Sequence, residues 1–526
     1  MTKYLLKRLL RGLLSVVIVV IIVMALVYTY TDRERIFDGD MQIQKQQHND
    51  RVVYKYKQWE KYGYLTNLTY ADYLTMLVDK GEITTEVRSQ VVNIGRTSEK
   101  DSELVKEYVN KFYSYCASNG YKAMRLDAVV VGTKIPNGGQ QRLFAYKEYS
   151  TLHRTWTFFK NLIKVDTIHY VEDDDQLVGE RGIKFTWYDP AYGGKKFSPA
   201  IIGNGTEHKY LLYFDNKFPF IHQNIVTIRL GTSFSINKGI DAFDTMTESQ
   251  GSNLSSLVTY PTGYQEMSSD DLHAATFVAD SLLNGGMFAT ERYTDNYTNV
   301  GTVKHSSSRV GFSFVIGILS SIFAYLLGVP LGIMMARNKG KLLDKLGTIY
   351  IVFIIAVPSL AYIFIFRSLG MKMGLPGRFD IDSTSKLMYI LPIISLALPA
   401  VAGLMNWLRR YMIDQQNSDY VKFARSGGLS EREIFNKHIL KNAIIPLVHN
   451  IPGTILGAIV GAIITESIYS VPGTGKMLTD AITKFDNSVI IGLTMFYAVL
   501  SVVSLILGDI LMSMVDPRIS FSDKAR

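Results

Sequence analysis

The sequence predicts an all-α membrane protein of six transmembrane helices, with an α+β domain inserted between the first and second helices. Apolar residues make up 47% of the 526 residues, but they concentrate in one stretch near the N-terminus and five stretches after Arg309. A long polar region separates these two parts. Basic residues gather at the ends of the apolar stretches, so the net charge of +9 indicates a membrane surface rather than a nucleic acid partner.

The first apolar stretch runs from Leu13 to Tyr28, and Leu9 and Leu10 extend it to about 20 residues, enough to cross a bilayer. A signal peptide is the alternative. Its apolar region would be shorter, and no small-residue cleavage site precedes Thr31, so we expect a retained span. The five later stretches are Val310–Met335, Leu346–Phe366, Leu387–Leu408, Ala443–Ile464 and Val489–Met514.

Lys and Arg residues predict the orientation of these spans. Four basic residues precede the first span: Lys3, Lys7, Arg8 and Arg11. Two later loops, 337–345 and 409–441, are also rich in Lys and Arg, whereas the loops that alternate with them hold fewer. Because cytoplasmic loops carry the basic excess, both termini are predicted to be cytoplasmic and the polar domain extracellular.

These boundaries divide the chain into four parts. Residues 1–30 hold the N-terminal cytoplasmic tail and the first helix, and residues 31–305 form the extracellular domain. Residues 306–515 form the membrane core with helices two to six, including a cytoplasmic loop at 409–442. Residues 516–526 are a cytoplasmic tail.

The polar domain contains signals of both helices and strands. A helix is predicted after Asp101-Ser102 and up to Ser118, and strands are predicted at Ala128–Val131 and Tyr210–Phe214. The segment Ser268–Val303, rich in Asp, Asn and Gly, is interpreted as a connector. The single cysteine, Cys116, excludes an internal disulfide and a multi-cysteine zinc site, and we expect it to be buried.

The loop at 409–442 carries the most informative motif. It contains Asp419-Tyr420-Val421-Lys422-Phe423-Ala424-Arg425-Ser426-Gly427-Gly428-Leu429-Ser430-Glu431. A first short helix, with Val421 and Ala424 exposed on one side, should stop at the two glycines. A second should begin at Ser430, since Ser430 and Glu433 fit a capping box. Small residues at the turn would let a partner approach closely. A solvated basic loop is the alternative.

This segment resembles the EAA loop of ABC importer membrane subunits, in the form found in the dipeptide/oligopeptide/nickel branch, the OppB/DppB family. That branch reads D-Y-V-x-x-A-R-x-x-G-L-S-E, then H-x-L-x-N-A-x-x-P. The second part is met by His438, Leu440, Asn442, Ala443 and Pro446. Ser426-Gly427 departs from the usual Ala-Lys. The segments Thr465–Gly475 and Asp516–Ile519 are similar to two further motifs of the branch, and the long insertion is similar to that of the AmiC-like permeases of Gram-positive bacteria.

The resemblance implies a type I permease subunit of an ABC importer that takes up oligopeptides across the plasma membrane of a Gram-positive bacterium. It implies four kinds of partner: a second homologous permease, two cytoplasmic ATPase subunits, an extracellular peptide-binding lipoprotein and the lipid bilayer. This chain would bind no cofactor, because ATP and Mg²⁺ would belong to the ATPases. The residues that would contact an ATPase are Tyr420, Ala424, Arg425, Gly428, Leu429, Ser430 and Glu431.

Two alternatives stay open at this point. The solute could be nickel or another substrate of the same branch. The chain could instead be a membrane-anchored receptor for an extracellular ligand, although this would leave five spans and the motif loop unexplained.

Two other features have weaker functional interpretations. The run Pro472–Lys476 superficially resembles a phosphate-binding loop, but Ser470 and Met477 occupy positions where that motif requires Gly and Ser or Thr, so we expect a transporter subunit without its own ATPase site. Glu466 lies near an apolar span and is a candidate for the translocation pathway. Its alternative, which we favour, is an interface residue that caps a turn.

Overall fold

A computed structural model describes residues 2–216, 220–279, 291–293 and 295–515. Its apolar part contains four helices long enough to cross a membrane: Thr2–Tyr30, Arg309–Arg337, Ile390–Gln416 and Asn487–Val515. Two further apolar helix pairs count as spans if each bent pair is taken as one, which gives up to six. The predicted C-terminal tail, residues 516–526 with the Asp516–Ile519 motif, lies outside the described residues.

The third predicted span, Leu346–Phe366, is not one straight helix. Leu342–Ala356 and Ser359–Lys372 meet at an angle of 113°. Pro358 explains the break: it has no N–H, and its ring forces Val357 into an extended conformation with ψ of 129°. The fifth predicted span is also bent, by 46°, between the helical stretch Glu431–His449 and the helix Ile451–Gly461.

Small residues bring the two central helices together. A Cβ atom added to Gly328 would lie 3.0 Å from the Cβ of Leu404, and one added to Gly332 would lie 3.2 Å from the Cβ of Leu408. The helices Arg309–Arg337 and Ile390–Gln416 therefore pack closely, as glycine allows between membrane helices. Short helices at Ile463–Tyr469 and Thr474–Thr483 precede the last long helix.

The inserted domain, residues 31–308, has α+β structure. Its helices are Met41–Lys45, His48–Lys61, Tyr70–Asp79, Thr85–Val91, Glu103–Ser118, Thr151–Asn161 and Ala242–Thr247. Its strands are Leu65–Thr69, Lys122–Leu126, Arg142–Glu148, Ile163–Val165, Gly182–Thr186, Ala200–Asn204, Tyr210–Phe214, Ile221–Gln223, Val226–Ile228, Ser256–Thr259, Gln265–Ser268, Asp270–Phe277 and Tyr297–Thr302. They form separate antiparallel sheets, of which the largest has four strands.

Two expectations for this domain are wrong. The segment Ser268–Val303 is not simply a connector, because Asp270–Phe277 pairs with Tyr297–Thr302; its residues 280–290 and 294 lie outside the described part. Leu272 and Ala275 are buried on this strand, and packing outweighs its polar composition. Ala128–Val131 forms no strand, although Val131 makes an isolated bridge to Lys134.

A buried carboxylate helps to attach the inserted domain to the start of the last long helix. Asp486, just before that helix, accepts hydrogen bonds from the backbone N–H groups of Phe234 and Ser235, at 3.0 and 2.9 Å. It also accepts from the hydroxyls of Ser233 and Ser235, at 2.9 and 2.8 Å. Beside it, Leu230 packs with the first turns of the helix. The domain is therefore fixed to the membrane core and is not a tethered appendage.

Candidate functional site

The first helix of the motif loop, Asp419–Ser426, packs against its own chain. It follows the end of the long helix Ile390–Gln416, and its Val421 and Ala424 are buried against Leu408 and Met412. The expectation that Val421 and Ala424 are exposed is therefore wrong. Their spacing does mark one face of the helix, but that face meets the membrane core and not a partner.

The glycine elbow, Gly427–Ser430, ends this helix in a Schellman motif. The N–H of Leu429 donates to the carbonyl of Ala424 at 3.3 Å, and the N–H of Gly428 donates to that of Arg425 at 3.1 Å. Gly428 has φ of +82°, the left-handed conformation that this motif requires and that glycine adopts without strain. Leu429 packs into the same apolar cluster as Ala424, which completes the motif.

The chain re-enters a helix at Ser430 through the predicted capping box. The Ser430 hydroxyl accepts from the N–H of Glu433 at 3.3 Å, and the Glu433 carboxylate accepts from the N–H of Ser430 at 3.2 Å. The following π-helical stretch Ile434–Leu440 buries Ile434, Phe435 and Ile439 in the cluster beneath the elbow. Both helices of the loop are thus held by one small core.

An ion pair spans the elbow. The guanidinium of Arg425 donates to both carboxylate oxygens of Glu431, at 2.5 and 3.1 Å. These bonds lower the pKa of the Glu431 carboxyl. Both side chains are exposed, so screening by water leaves the pair little effect on stability, although its bidentate geometry bridges the two sides of the elbow.

The outer face of the loop carries an aromatic residue that the sequence interpretation missed. Phe423 is 80% exposed, and Tyr420 lies one turn away at the surface, with its hydroxyl donating to Gln415 at 2.8 Å. Phe423 could have been found from the sequence, because it lies on the face opposite Val421 and Ala424. Of the predicted contact residues, Tyr420, Arg425, Gly428, Ser430 and Glu431 are exposed, Leu429 is half-buried and Ala424 is buried.

A second ion pair lies where the motif loop emerges from the long helix Ile390–Gln416. Arg409, near the end of the long helix, donates to the two carboxylate oxygens of Asp344 at 2.5 and 2.8 Å. Asp344 is buried and also accepts from the N–H of Gly340 at 2.8 Å. The helix Leu342–Ala356 is therefore tied to the long helix from which the loop emerges.

Glu466 is fully buried at the opposite end of the core. Its carboxylate accepts from the Ser313 hydroxyl at 2.6 Å and from the backbone N–H of Lys476 at 2.8 Å. The Ser313 oxygen in turn accepts from the N–H of Thr474 at 2.8 Å. Glu466 thus holds the turn Pro472–Lys476 against the start of the Arg309–Arg337 helix. This geometry agrees with the turn-capping interpretation.

The same network occupies the run that resembles a phosphate loop. A phosphate loop uses free backbone N–H groups to bind its ligand. Here the N–H groups of Thr474 and Lys476 already donate to Ser313 and Glu466. A Cβ added to Gly473 would lie 2.3 Å from the Glu466 carboxyl carbon, so the glycine serves the close approach of that side chain.

Comparison with known proteins defines the class. A family model described as binding-protein-dependent transport system inner membrane component matches residues 328–521. Among solved structures, the inward-facing MetNI methionine ABC transporter aligns with 40% of this chain and 94% of that chain, at 14% identity and a TM-score of 0.31. The matched residues, which include the motif loop, are similar to the inner membrane components of binding-protein-dependent transport systems.

Relatives over longer stretches define the family. The oligopeptide transport system permease protein AmiC of Streptococcus pneumoniae is 33% identical over 527 residues, covering 100% of this chain and 99% of AmiC. The dipeptide transport system permease protein DppB of Lactococcus lactis is 35% identical over 225 residues, which is 42% of this chain and 73% of DppB. This chain therefore belongs to the OppB/DppB family of peptide permeases.

Proposed function

We propose that this chain is the permease subunit of an ABC importer for oligopeptides, and that it forms the translocation pathway together with a second homologous permease. The observation that carries the proposal is the full-length similarity to AmiC, which includes the inserted domain. The shorter DppB relative aligns with only 42% of this chain, so its similarity does not extend over the whole insertion.

The motif loop would couple the permease to two cytoplasmic ATPase subunits, which would bind the ATP and Mg²⁺. Its exposed face supports this role. Phe423 is a large apolar side chain in water with polar neighbours such as Lys422 and Arg425, an arrangement typical of the anchor residue of an interface. Tyr420, Ser430 and Glu431 would form the polar rim around it.

The contacts of the motif loop would transmit movement of an ATPase to the membrane helices. The Schellman motif ends the first helix, the capping box starts the second, and the Arg425–Glu431 pair bridges the elbow between them. Beneath them, Ile434 and Phe435 pack in one cluster with Leu408 of the long helix. Movement of an ATPase against Phe423 would therefore displace the ends of the Ile390–Gln416 helix and the bent Glu431–Gly461 pair together. This is what alternating access requires.

The inserted domain would face the outside and receive the peptide from a lipid-anchored binding protein. Its attachment through Asp486 supports this arrangement, because a load on the domain acts directly on the last helix. Glu466 is proposed as a structural residue of the external end, and not as a pathway residue, since one of its oxygens is bonded to Ser313 of the Arg309–Arg337 helix and the other to the turn.

Uptake of labelled oligopeptides by cells with and without this chain tests the proposal. We expect uptake to be lost on deletion and restored by the intact gene. Radiolabelled nickel in the same cells tests the alternative solute. Unchanged peptide uptake in the deletion strain, or loss of nickel uptake alone, would contradict the oligopeptide assignment.

A further inference from the structure

A cleft of about 750 Å³ lies where the inserted domain meets the membrane core. Val310, Gly311 and Val315, in the first turns of the Arg309–Arg337 helix, form its floor. The strand Val226–Ile228 and the helix Ala242–Thr247 contribute to its walls. This volume lies in the range of small-molecule sites, roughly 300–1,000 Å³. By the predicted orientation, the cleft opens at the external end of the core.

One wall of the cleft has a strand edge outside any ladder. Val226–Ile228 pairs with Ile163–Val165 on one side only, in a two-stranded sheet. Beyond the strand, the N–H of Arg229 donates to the carbonyl of Leu162 at 2.9 Å, on that same side. Alternate residues of an antiparallel strand direct their backbone groups to opposite edges. The first and last residues of the strand therefore direct theirs away from the ladder.

On this edge, the side-chain amide of Gln223 makes the backbone hydrogen bonds that a paired peptide would make. The Gln223 side chain donates to the carbonyl of Val226 at 2.9 Å and accepts from its N–H at 2.8 Å. These are the two hydrogen bonds that a residue of an added β-strand would make. An extended peptide could replace the exposed Gln223 side chain here and continue along the edge, as in β-strand addition.

A carboxylate without a bonded partner lines the same cleft. Asp244 is half-buried, and among the described residues its carboxylate has no hydrogen bond or salt bridge. Burial, followed by the charges of Asp241 and Glu248, raises its pKa to about 6, against the opposing effect of Arg229. The neighbouring Asp241 differs, because its carboxylate accepts from three backbone N–H groups. Asp244 is thus positioned to gain from a cationic ligand.

We propose that this cleft is a subsite for the transported peptide, in which Asp244 binds the terminal ammonium group and the outer edge of Val226–Ile228, once the Gln223 side chain is displaced, pairs with the extended backbone. The proposal rests on the proposed function and names the group of the substrate that the permease itself recognises. Recognition of the terminus and the backbone leaves the side chains free, so one site would serve peptides of different sequence.

Binding of alanine peptides to the full-length chain in lipid nanodiscs tests this subsite. The probes are penta-alanine, its N-acetylated form, and a form with N-methylated central amides, each measured by saturation-transfer NMR. We expect the wild-type chain to bind penta-alanine at least roughly tenfold more tightly than the acetylated form, because a charge-assisted hydrogen bond is lost. The N-methylated form should bind more weakly too, because it cannot pair with the strand edge.

The matched variants are Asp244→Asn and Glu248→Gln, which remove one carboxylate each from the same short helical region. Asp244→Asn should weaken the binding of penta-alanine to the level of the acetylated peptide. It should leave the binding of the acetylated peptide unchanged. Glu248→Gln, at an exposed position, should weaken penta-alanine binding much less than Asp244→Asn does and should leave binding of the acetylated peptide unchanged. Equal binding of free and acetylated peptides by the wild-type chain would overturn the proposal. Equal weakening of both peptides by Asp244→Asn would also overturn it, since that indicates a structural role.

Cell uptake separates failure of the subsite from failure of the proposed function. If deletion of the chain leaves peptide uptake unchanged, the function itself is wrong. If deletion abolishes uptake but Asp244→Asn transports and binds penta-alanine normally, only the subsite is wrong.

Discussion

The glycine elbow of the motif loop and the turn Pro472–Lys476 at the opposite end of the core use glycine for different reasons. At Gly428 an added Cβ would meet nothing within 4 Å, and glycine is required by the φ of +82°. At Gly473 the backbone angle is ordinary, with φ of −93°, and glycine is required because Glu466 fills the space. The elbow is thus held by local backbone geometry and stays open to a partner, whereas the turn is held by buried packing and is closed.

The largest effect should come from crowding the closed turn. Gly473→Ala places a methyl group on the Glu466 carboxylate and should displace it from Ser313, lowering the free energy of unfolding by about 3 kcal/mol. Thermal unfolding of the purified chain in detergent measures this. Gly453→Ala is the control, since its Cβ would meet nothing within 4 Å. Equal melting of the two variants would show that the turn is not closed.

The inserted domain offers a second buried polar network with a pH dependence. His273 bonds to Asp189 at 2.6 Å and stacks on Tyr213. Burial lowers the pKa of the imidazole, but the bonds to Asp189 and Asp271 outweigh burial and raise it to about 9. Because the folded-state pKa lies above the unfolded value, this stabilisation is complete below about pH 6.5 and is lost as the pH rises through 9.

Amide exchange in the strand Asp270–Phe277 measures this dependence. After correction for intrinsic exchange, its protection should fall between pH 6.5 and 9, by on the order of 2–3 kcal/mol. His273→Gln should abolish the pH dependence. A protection profile that is flat with pH in the wild-type chain would contradict the charged-histidine account.

A charge placed on the buried face of the motif loop should lower the stability of the loop. Ala424→Asp places a carboxylate in the cluster formed with Val421 and Leu408, at a cost of about 2 kcal/mol, and should expose the loop to proteolysis. Lys422→Asp, at an exposed position of the same helix, should leave cleavage unchanged. If Ala424→Asp left the loop resistant but blocked coupling, the residue would face a partner after all.

The open elbow should respond to backbone strain alone. Gly428→Val forces a β-branched residue into the left-handed region, at a cost of about 1–2 kcal/mol, and should lower peptide uptake without removing the protein from the membrane. Gly427→Ala is the matched control, because Gly427 has φ of −75° and an added Cβ would make only ordinary contacts. Similar uptake by the two variants would show that the left-handed turn is dispensable.

Local signals made much of this structure predictable. Ser102 caps the helix Glu103–Ser118, Ser430 forms the capping box, and Tyr210–Phe214 is a strand. Each depends on residues close in the chain. The break at Pro358 was less visible, because prolines also lie within straight membrane helices, as Pro330 does in Arg309–Arg337.

The sequence alone could not show which surface each apolar helix face packs against. The spacing of Val421 and Ala424 marks an apolar face, but whether that face meets the core or another protein depends on tertiary packing. The same holds for Asp486, whose four donors come from residues about 250 positions earlier. Asp244 became a candidate only once the fold placed it beside a cleft.

Substitution of Phe423 tests the coupling role of the loop most directly, because its side chain is 80% exposed and its removal should leave the fold intact. We predict that Phe423→Ala keeps wild-type abundance in the membrane and wild-type thermal unfolding. Peptide uptake normalised to that abundance should fall roughly tenfold or more, as expected for the anchor of an interface, together with peptide-stimulated ATP hydrolysis by the assembled transporter. Lys422→Ala, its exposed neighbour, should transport normally. Normal uptake by Phe423→Ala would contradict the claim that this loop couples the permease to its ATPases.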